Sequence, residues 1–430
     1  MINAVRRIIE NNFIIFPSFI MTIIVYLIGL FGLFSENSIR LDYNLVFYFW
    51  IAQIFRMNLF KKIEDIQELI FFITLVFLFI IPSIAIFYFH KVDVTNTLFL
   101  AILFMDLLKK FSDKQSKNIY NKISYISIKP NFFIYSGLLL WSAIMPFFFR
   151  QANTLSGQFV LVIPFIASLV YLEEIFKQLK SIRLANFLLI FHFFFVVVYL
   201  SNHWSGHGRV VLAVWILAPI IIYMYVFKKF IKPIYIILLC FLPLYILQFS
   251  RYENKIELED VFIGSAGYHL QLTNLTWINK YSFEGSGWQG FLDQYKLLFF
   301  AWIPRELWEL KPIQINVYSV DVMFDRKLFS WEESYSHSIG FLGEQLFLLQ
   351  NNYFLGLLLL LVTIIIIRKL VVKFSIGSVV PAIIFDLNLM SYFWGGMGIF
   401  GARIWFFLLP VLTLLILRFT IRRFSNIVDK

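Results

Sequence analysis

The residues best suited to chemistry in this chain are three arginines that lie beside breaks in its apolar runs. Arg209 follows a Gly-His-Gly sequence and opens an apolar run. Free backbone N–H groups at the start of a helix attract anions, and glycine lets a phosphate approach the backbone closely. Arg305 lies between a proline and a glutamate, and Arg403 follows a Gly-Ala pair. Because a guanidinium binds phosphate through parallel hydrogen bonds, all three are candidate ligands of a phosphate group. The alternative is that they extend to lipid headgroups at the ends of membrane spans.

Two tryptophans flank Arg305, three residues away on either side. In a helix, Trp302 and Trp308 would both lie near the arginine, and Pro304 fits a first helical turn. Aromatic faces stack on the apolar faces of sugar rings, so these tryptophans are candidate glycan-binding residues. An amphipathic helix with ordinary tryptophan and arginine anchors at the membrane interface is the alternative interpretation.

A histidine and a glutamate lie seven residues apart where the chain becomes apolar again after a long polar segment. If one helix contains both His337 and Glu344, this spacing places them on nearly the same face. Either side chain is a suitable general base for a sugar hydroxyl. A hydrogen-bonded pair that only caps and packs the segment remains the alternative.

Hydropathy places these residues in a membrane protein. Of the 430 residues, 60% are hydrophobic and 15% are charged, and a single soluble core could not bury so much apolar surface. We predict an all-α polytopic integral membrane protein with about twelve transmembrane helices, forming one transmembrane domain over residues 1–430. The predicted spans are 13–34, 43–60, 69–89, 95–108, 131–149, 158–172, 184–200, 209–227, 233–249, 352–367, 377–393 and 400–418.

One large hydrophilic loop, residues 250–337, interrupts the predicted spans. With the N-terminus inside, the cytoplasmic segments carry 23 lysines and arginines, and the short outer segments carry 5. The positive-inside rule then predicts that both termini are cytoplasmic and that the loop is extracytoplasmic. The loop has 12 acidic and 8 basic residues, so it is not a polybasic lipid-binding surface. Its stretch 291–302 is typical of an interfacial helix.

Several kinds of site are absent from the sequence. The single cysteine, Cys240, excludes an internal disulfide and a cysteine-based metal site. There is no phosphate-binding GxxxxGK[ST] loop, no GxGxxG after a strand and no HExxH. The Asp-x-Asp pair with which nucleotide-sugar enzymes hold a divalent metal is also missing. We therefore predict no metal, no cofactor and a donor other than a nucleotide sugar. The scattered basic residues argue against nucleic-acid binding.

Asp386 lies in an apolar run near the eleventh predicted span. An acidic side chain there is costly, and it is usually paired with another polar group. The sequence alone does not name the partner of Asp386.

Three sequence runs together resemble the bacterial O-antigen polymerases, which join oligosaccharide repeat units. They are Gly208-Arg209 before an apolar span, Ile303-Pro304-Arg305-x-Leu307-Trp308-x-x-Lys311-Pro312, and Ser336-His337-x-x-Gly340-x-x-Gly343-Glu344. The large outer loop and the number of spans are similar too. Glu309 is a departure, because the family commonly has a proline after the tryptophan.

The resemblance implies a metal-independent, inverting glycosyltransferase of GT-C-like, all-helical architecture in the bacterial inner membrane. It would transfer the growing glycan from undecaprenyl diphosphate to a new lipid-linked repeat unit at the periplasmic face. Arg209 and Arg305, with help from Arg403, would neutralise the leaving diphosphate, and His337 or Glu344 would take the proton from the acceptor hydroxyl. The expected partners are the lipid-linked oligosaccharide and membrane lipid, together with a chain-length regulator and a flippase.

Two other activities remain open from the sequence. An O-antigen ligase, which moves the glycan onto a lipid A core, has a similar fold. A flippase or another transporter of the lipid-linked oligosaccharide would also be hydrophobic and polytopic. No internal repeat of the kind found in many transporters stands out in the chain.

Overall fold

The computed structural model is helical throughout the part of the chain that it describes. The described residues are 20–30, 43–56, 63, 66–90, 94–122, 132–148, 155–179, 181–203, 209–229, 232, 235, 286–303, 305–316, 318, 339–375 and 378–428. About 90% of them are helical, and none of them lies in a β-strand. This confirms the predicted all-α class.

The helices follow the apolar runs of the sequence. The first are α1 (Ile20–Leu30), α2 (Tyr43–Arg56), α3 (Ile66–Leu75), α4 (Ile81–His90) and α5 (Thr95–Lys122), with a π-helical turn, Val76–Ile80, between α3 and α4. The next are α6 (Phe132–Phe148), α7 (Leu155–Gln178), α8 (Ile182–His203) and α9 (Arg209–Phe227). The last are α10 (Gly287–Phe300), α11 (Gly340–Leu349), α12 (Tyr353–Phe374) and α13 (Val380–Val428). Short 3-10 turns occupy Arg305–Leu307 and Gln350–Asn352.

Three of the described helical segments are long and apolar enough to cross a membrane. They are Gln67–Phe89, Gly340–Phe374 and Val380–Thr413, and a span requires about 20 mainly apolar residues. Shorter apolar helices lie at Ile20–Leu30, Phe132–Ile144, Ile182–Val198 and Val214–Phe227. The chain therefore has the helices of a membrane protein, while the number of about twelve spans stays a prediction. Apart from Tyr235, the predicted span 233–249 lies outside the described residues.

The chain forms two compact units. The first comprises Met1–Leu107 and Ile231–Lys280, and the second comprises Leu108–Phe230 and Tyr281–Lys430. Within the first unit, the Arg56 guanidinium is paired with the Asp106 carboxylate, which also accepts a hydrogen bond of 2.8 Å from the Tyr26 hydroxyl. This pairing accounts for an arginine inside the second predicted span, because a charge in an apolar region is stable when it is paired.

The core of the second unit is built around α13. This helix packs against α7, α9, α10, α11 and α12, and α6 packs against α7 and α8. Large aromatic side chains of α13, including Phe385, Tyr392 and Phe400, are fully buried there. The candidate site lies in this unit.

A buried ion pair joins α12 to α13 and supplies the partner of Asp386. Arg368 Nε donates to Asp386 Oδ1 at 2.8 Å, and Arg368 Nη2 donates to Asp386 Oδ2 at 3.0 Å. Both side chains are buried. This two-pronged geometry satisfies a buried carboxylate well, so Asp386 has a structural role in holding the two helices together.

A second buried carboxylate holds the start of α13. Glu173 of α7 accepts hydrogen bonds from the Ser378 hydroxyl at 2.5 Å and from the Val379 N–H at 3.1 Å. Lys177 Nζ lies 2.7 Å from the same carboxylate. The first N–H groups of a helix have no partner within the helix, and Glu173 satisfies one of them from a neighbouring helix.

Candidate functional site

The candidate site is centred on a break in α13. Gly396 has φ 76° and ψ −168°, a conformation that glycine adopts far more readily than other residues. The Gly395 carbonyl accepts a hydrogen bond of 2.6 Å from Asn316 Nδ2, and the Met397 N–H donates one of 2.9 Å to Glu344 Oε2. Side chains from two other segments therefore satisfy the backbone groups that the break leaves without helical partners. The predicted gap between the spans 377–393 and 400–418 falls at this break.

Glu344 lies in α11 and is fully buried. Its Oε2 also accepts from Gln345 Nε2 at 3.4 Å, whereas Oε1 has no hydrogen-bond donor among the described residues. A Cβ at Gly396 would lie 2.7 Å from Oε2 and 3.0 Å from Oε1, so the carboxylate rests directly on the glycine. The N–H group at the start of the second half of α13 stabilises negative charge on this carboxylate.

Asn316 connects the break to the segment that leads into α11. Besides bonding to Gly395, its Oδ1 accepts from the Ile339 N–H at 3.3 Å. Gln294 of α10 holds the preceding residues, because its Nε2 donates to the Ile313 carbonyl at 2.8 Å and its Oε1 accepts from the Ile315 N–H at 3.1 Å. Two buried amides thus fix residues 313–316 against α13.

The segment 314–316 lies alongside α13 and is antiparallel to it. Asn316 contacts Gly395, and Gln314 Cγ would lie 3.1 Å from a Cβ at Gly398. The segment 314–316 therefore lines the stretch of α13 from Gly395 to Gly398.

The end of α10 touches the turn of α13 that carries Gly401. A Cβ at Gly401 would lie 2.2 Å from the Leu297 carbonyl oxygen and 2.6 Å from that of Leu298, which only glycine permits. Trp405 Nε1 donates to the Leu298 carbonyl at 2.8 Å. This contact positions the turn that follows α10, where Arg305 lies.

Arg305 braces its own turn. Its Nη1 donates to the Lys311 carbonyl at 3.1 Å and its Nη2 donates to the Pro312 carbonyl at 3.3 Å. The Arg305–Leu307 segment is a single 3-10 turn, shorter than the helix that the proline predicted. Partial burial lowers the pKa of the Arg305 guanidinium, but arginine remains charged at neutral pH.

Arg403 has a guanidinium nitrogen that the described residues leave unsatisfied. Its guanidinium carbon lies 5.6 Å from the centroid of the Trp394 ring. Its Nη1 is buried, and it has no hydrogen-bond acceptor in the described part of the chain. A buried guanidinium nitrogen without an acceptor is unfavourable, and an anion would relieve this cost.

The two tryptophans are partly exposed, and each has a local contact. Trp302 Nε1 donates to the Phe299 carbonyl at 2.9 Å. The Trp308 ring lies 6.4 Å from the Phe300 ring in a perpendicular arrangement. These contacts do not involve a ligand, and the role of Trp302 and Trp308 in binding a glycan remains a prediction.

Two predicted site residues are not placed by the described structure. His337 lies outside the described residues, and α11 begins three residues after it, at Gly340. The predicted spatial relation of His337 to Glu344 therefore stays a prediction. Arg209 begins α9, which packs against α13, but the position of its side chain lies outside the described part.

Comparison with known proteins gave no match. No family model matches the chain, and neither does any curated protein or solved structure. The chemistry of the described residues is therefore the basis for assigning a function.

The site combines the buried Glu344 carboxylate of α11 with the partly buried Arg403 cation of α13, and both lie at the second half of α13. Glu344 bonds to Met397, and Arg403 is six residues further on, about 9 Å along a helix axis. Helical breaks deep in a membrane protein occur where the backbone lines a protein interior or a cavity. Within the described ranges, no group of three histidine, cysteine or acidic side chains could hold a metal. The arrangement suits an anionic substrate and proton transfer.

Sequence reasoning missed the residues that assemble this site. Asn316 contacts the break, Gln294 holds the segment that carries Asn316, and Trp394 contacts Arg403. None of the three has a signal in the sequence beyond its polar or aromatic type. The Gly395-Gly396 pair within an apolar run was the available signal, because consecutive glycines interrupt helices.

Proposed function

We propose that this protein is an O-antigen polymerase, a membrane glycosyltransferase that extends a glycan carried on undecaprenyl diphosphate. The growing glycan leaves its carrier and joins the non-reducing end of a new lipid-linked repeat unit. The helical membrane architecture and the sequence runs around Arg209, Arg305 and Glu344 support this proposal.

The main support for the proposal is the environment of the Arg403 guanidinium. One of its nitrogens is buried without an acceptor among the described residues, and the guanidinium carbon lies over the Trp394 ring at 5.6 Å from its centroid. A diphosphate leaving group supplies oxygen acceptors and negative charge at such a nitrogen. Preorganised positive charge of this kind stabilises the charge that develops as the diphosphate leaves.

The reaction that fits these groups is a direct displacement. The acceptor hydroxyl oxygen attacks the anomeric carbon of the sugar on the diphosphate, and the bond from that carbon to the diphosphate oxygen breaks. The electron pair leaves with the diphosphate, where Arg403 and Arg305 offset the charge, with Arg209 as a third candidate. Glu344 takes the hydroxyl proton on Oε1, and displacement at one face inverts the anomeric configuration.

The orientation of the chain supports a site on the periplasmic side of the bacterial inner membrane. The 23 basic residues assigned to cytoplasmic segments, against 5 in the short outer segments, favour cytoplasmic termini. Arg209, Arg305 and Arg403 all belong to the outer side in this arrangement. Lipid-linked repeat units would then meet the site at the outer leaflet.

Deleting the gene and examining the lipopolysaccharide on a gel tests this function against its alternatives. Loss of a polymerase leaves core carrying a single repeat unit, because transfer to lipid A core still operates. Bare core, with polymer retained on the carrier lipid, would instead identify a ligase. Loss of all surface sugar would identify a flippase. We expect the single-repeat product, and either other outcome contradicts the proposal.

A further inference from the structure

In the turn after α10, leucine side chains are exposed and the cationic side chains bind the backbone. This is the reverse of what is expected for a turn that faces water. In this Arg305–Lys311 turn, Leu307 is 79% exposed and Leu310 is 90% exposed. The two cations point inward instead, and both donate to backbone carbonyls. In water, leucines are favoured inside and lysine or arginine outside, so water is not the expected surroundings of this surface.

The inward cations hold the leucines in place. Lys311 Nζ donates to the Ala301 and Ile303 carbonyls, each at 2.6 Å, and Arg305 donates to the carbonyls of Lys311 and Pro312. Two more backbone hydrogen bonds of 3.0 Å, from Trp308 N–H to Arg305 and from Lys311 N–H to Trp308, close the turn. A turn braced by six hydrogen bonds presents Leu307 and Leu310 in a fixed direction.

The exposed apolar surface continues along α10. Trp288, Leu292 and Phe300 are exposed at intervals of four or eight residues, which places them on one face of the helix. The Trp308 ring contacts Phe300, and this contact joins the helix face to the turn. Lys296, which is 52% exposed on the same face, pairs with Asp293, so the surface is amphipathic. It belongs to a protein whose neighbouring segments, Gly340–Phe374 and Val380–Thr413, have the character of membrane spans.

We propose that Leu307 and Leu310 insert into the acyl-chain layer of the lipid bilayer and anchor the turn at the membrane surface. Tryptophan beside leucine, with cations close by, is the composition of segments at the boundary between headgroups and acyl chains. An exposed lysine beside exposed tryptophan, phenylalanine and leucine is the pattern of a helix that lies in the bilayer interface, and the neighbouring segments have the character of membrane spans. The occupant of the surface is therefore bilayer lipid. The inference does not depend on the proposed enzymatic function.

Spin-label depth measurements in nanodiscs test the insertion. A nitroxide is attached to Leu307→Cys or Leu310→Cys in a Cys240→Ser background, and the full-length protein is reconstituted in phosphatidylethanolamine and phosphatidylglycerol. The matched control is Glu309→Cys, because Glu309 is exposed in the same turn. We expect labels at 307 and 310 to collide more with oxygen than with a water-soluble nickel complex, and the label at 309 to show the reverse preference.

Two outcomes would overturn the insertion. If the labels at 307 and 310 are as accessible to the nickel complex as the label at 309, the turn faces water. If they are shielded from both reagents and show dipolar broadening between chains, a second copy covers the surface. Circular dichroism and size-exclusion elution of each labelled variant verify that the fold is retained.

Discussion

Arg403→Ala should lower glycan chain extension by about 100-fold to 1,000-fold, the range observed when one preorganised charge-stabilising donor is removed from an active site. The reason is that its buried Nη1, which has no acceptor among the described residues, is the group proposed to meet the leaving diphosphate. The measurement is the rate of polymer formation by purified variants, together with the lipopolysaccharide ladder in complemented cells.

The thermal unfolding of Arg403→Ala distinguishes a functional from a structural role. A buried donor without an acceptor destabilises a fold, so removing the Arg403 Nη1 should leave the unfolding temperature unchanged or raise it. Lys369→Ala is the matched control, because Lys369 is an exposed cation of α12, and it should keep full activity. Full chain extension by Arg403→Ala would contradict the diphosphate site, and a large loss of stability would assign Arg403 to the fold.

Glu344→Gln should reduce chain extension by at least about 100-fold, because general base catalysis contributes roughly 10²–10⁴-fold to a rate. The amide keeps an oxygen acceptor for the Met397 N–H, which now donates to Glu344 at 2.9 Å. The break at Gly396 should therefore keep its geometry while the proton acceptor is lost. The measurement is the single-turnover rate of glycosyl transfer with substrate bound.

Two comparisons make the Glu344 test specific. Glu309→Gln removes an exposed carboxylate from the turn after α10, and it should leave the rate unchanged. Thermal unfolding of Glu344→Gln should stay near that of the unmodified protein. If Glu344→Gln keeps its activity, the carboxylate only caps the second half of α13, and His337 becomes the remaining candidate base.

The sequence predicted those features that depend on local composition. Apolar runs predicted the helical class, and hydropathy predicted separate spans 377–393 and 400–418, whose gap contains the break that the structure places at Gly396. Residue type also identified Glu344 and Arg403, since a carboxylate and a guanidinium in apolar surroundings require a reason. The need of Asp386 for a partner was predicted in the same way.

The rest of the site depends on contacts between distant parts of the chain. Asn316 reaches Gly395 across 79 positions, and Glu173 reaches Ser378 across 205. Pairings of this kind follow from how the helices pack, and a single sequence contains no local pattern for them. For the same reason, the sequence did not identify Arg368 as the partner of Asp386. A basic residue at the end of an apolar run normally indicates the cytoplasmic boundary of a span.

The most direct test of the central claim is glycosyl transfer by the purified protein. The protein in nanodiscs is given undecaprenyl diphosphate carrying a single repeat unit, without a nucleotide sugar, and the products are separated by size. We expect lipid-linked glycans of two or more repeats and one undecaprenyl diphosphate released for each bond formed. If the repeat unit stays unextended, and lipid A core added to the reaction receives it instead, the protein is a ligase and the account is contradicted.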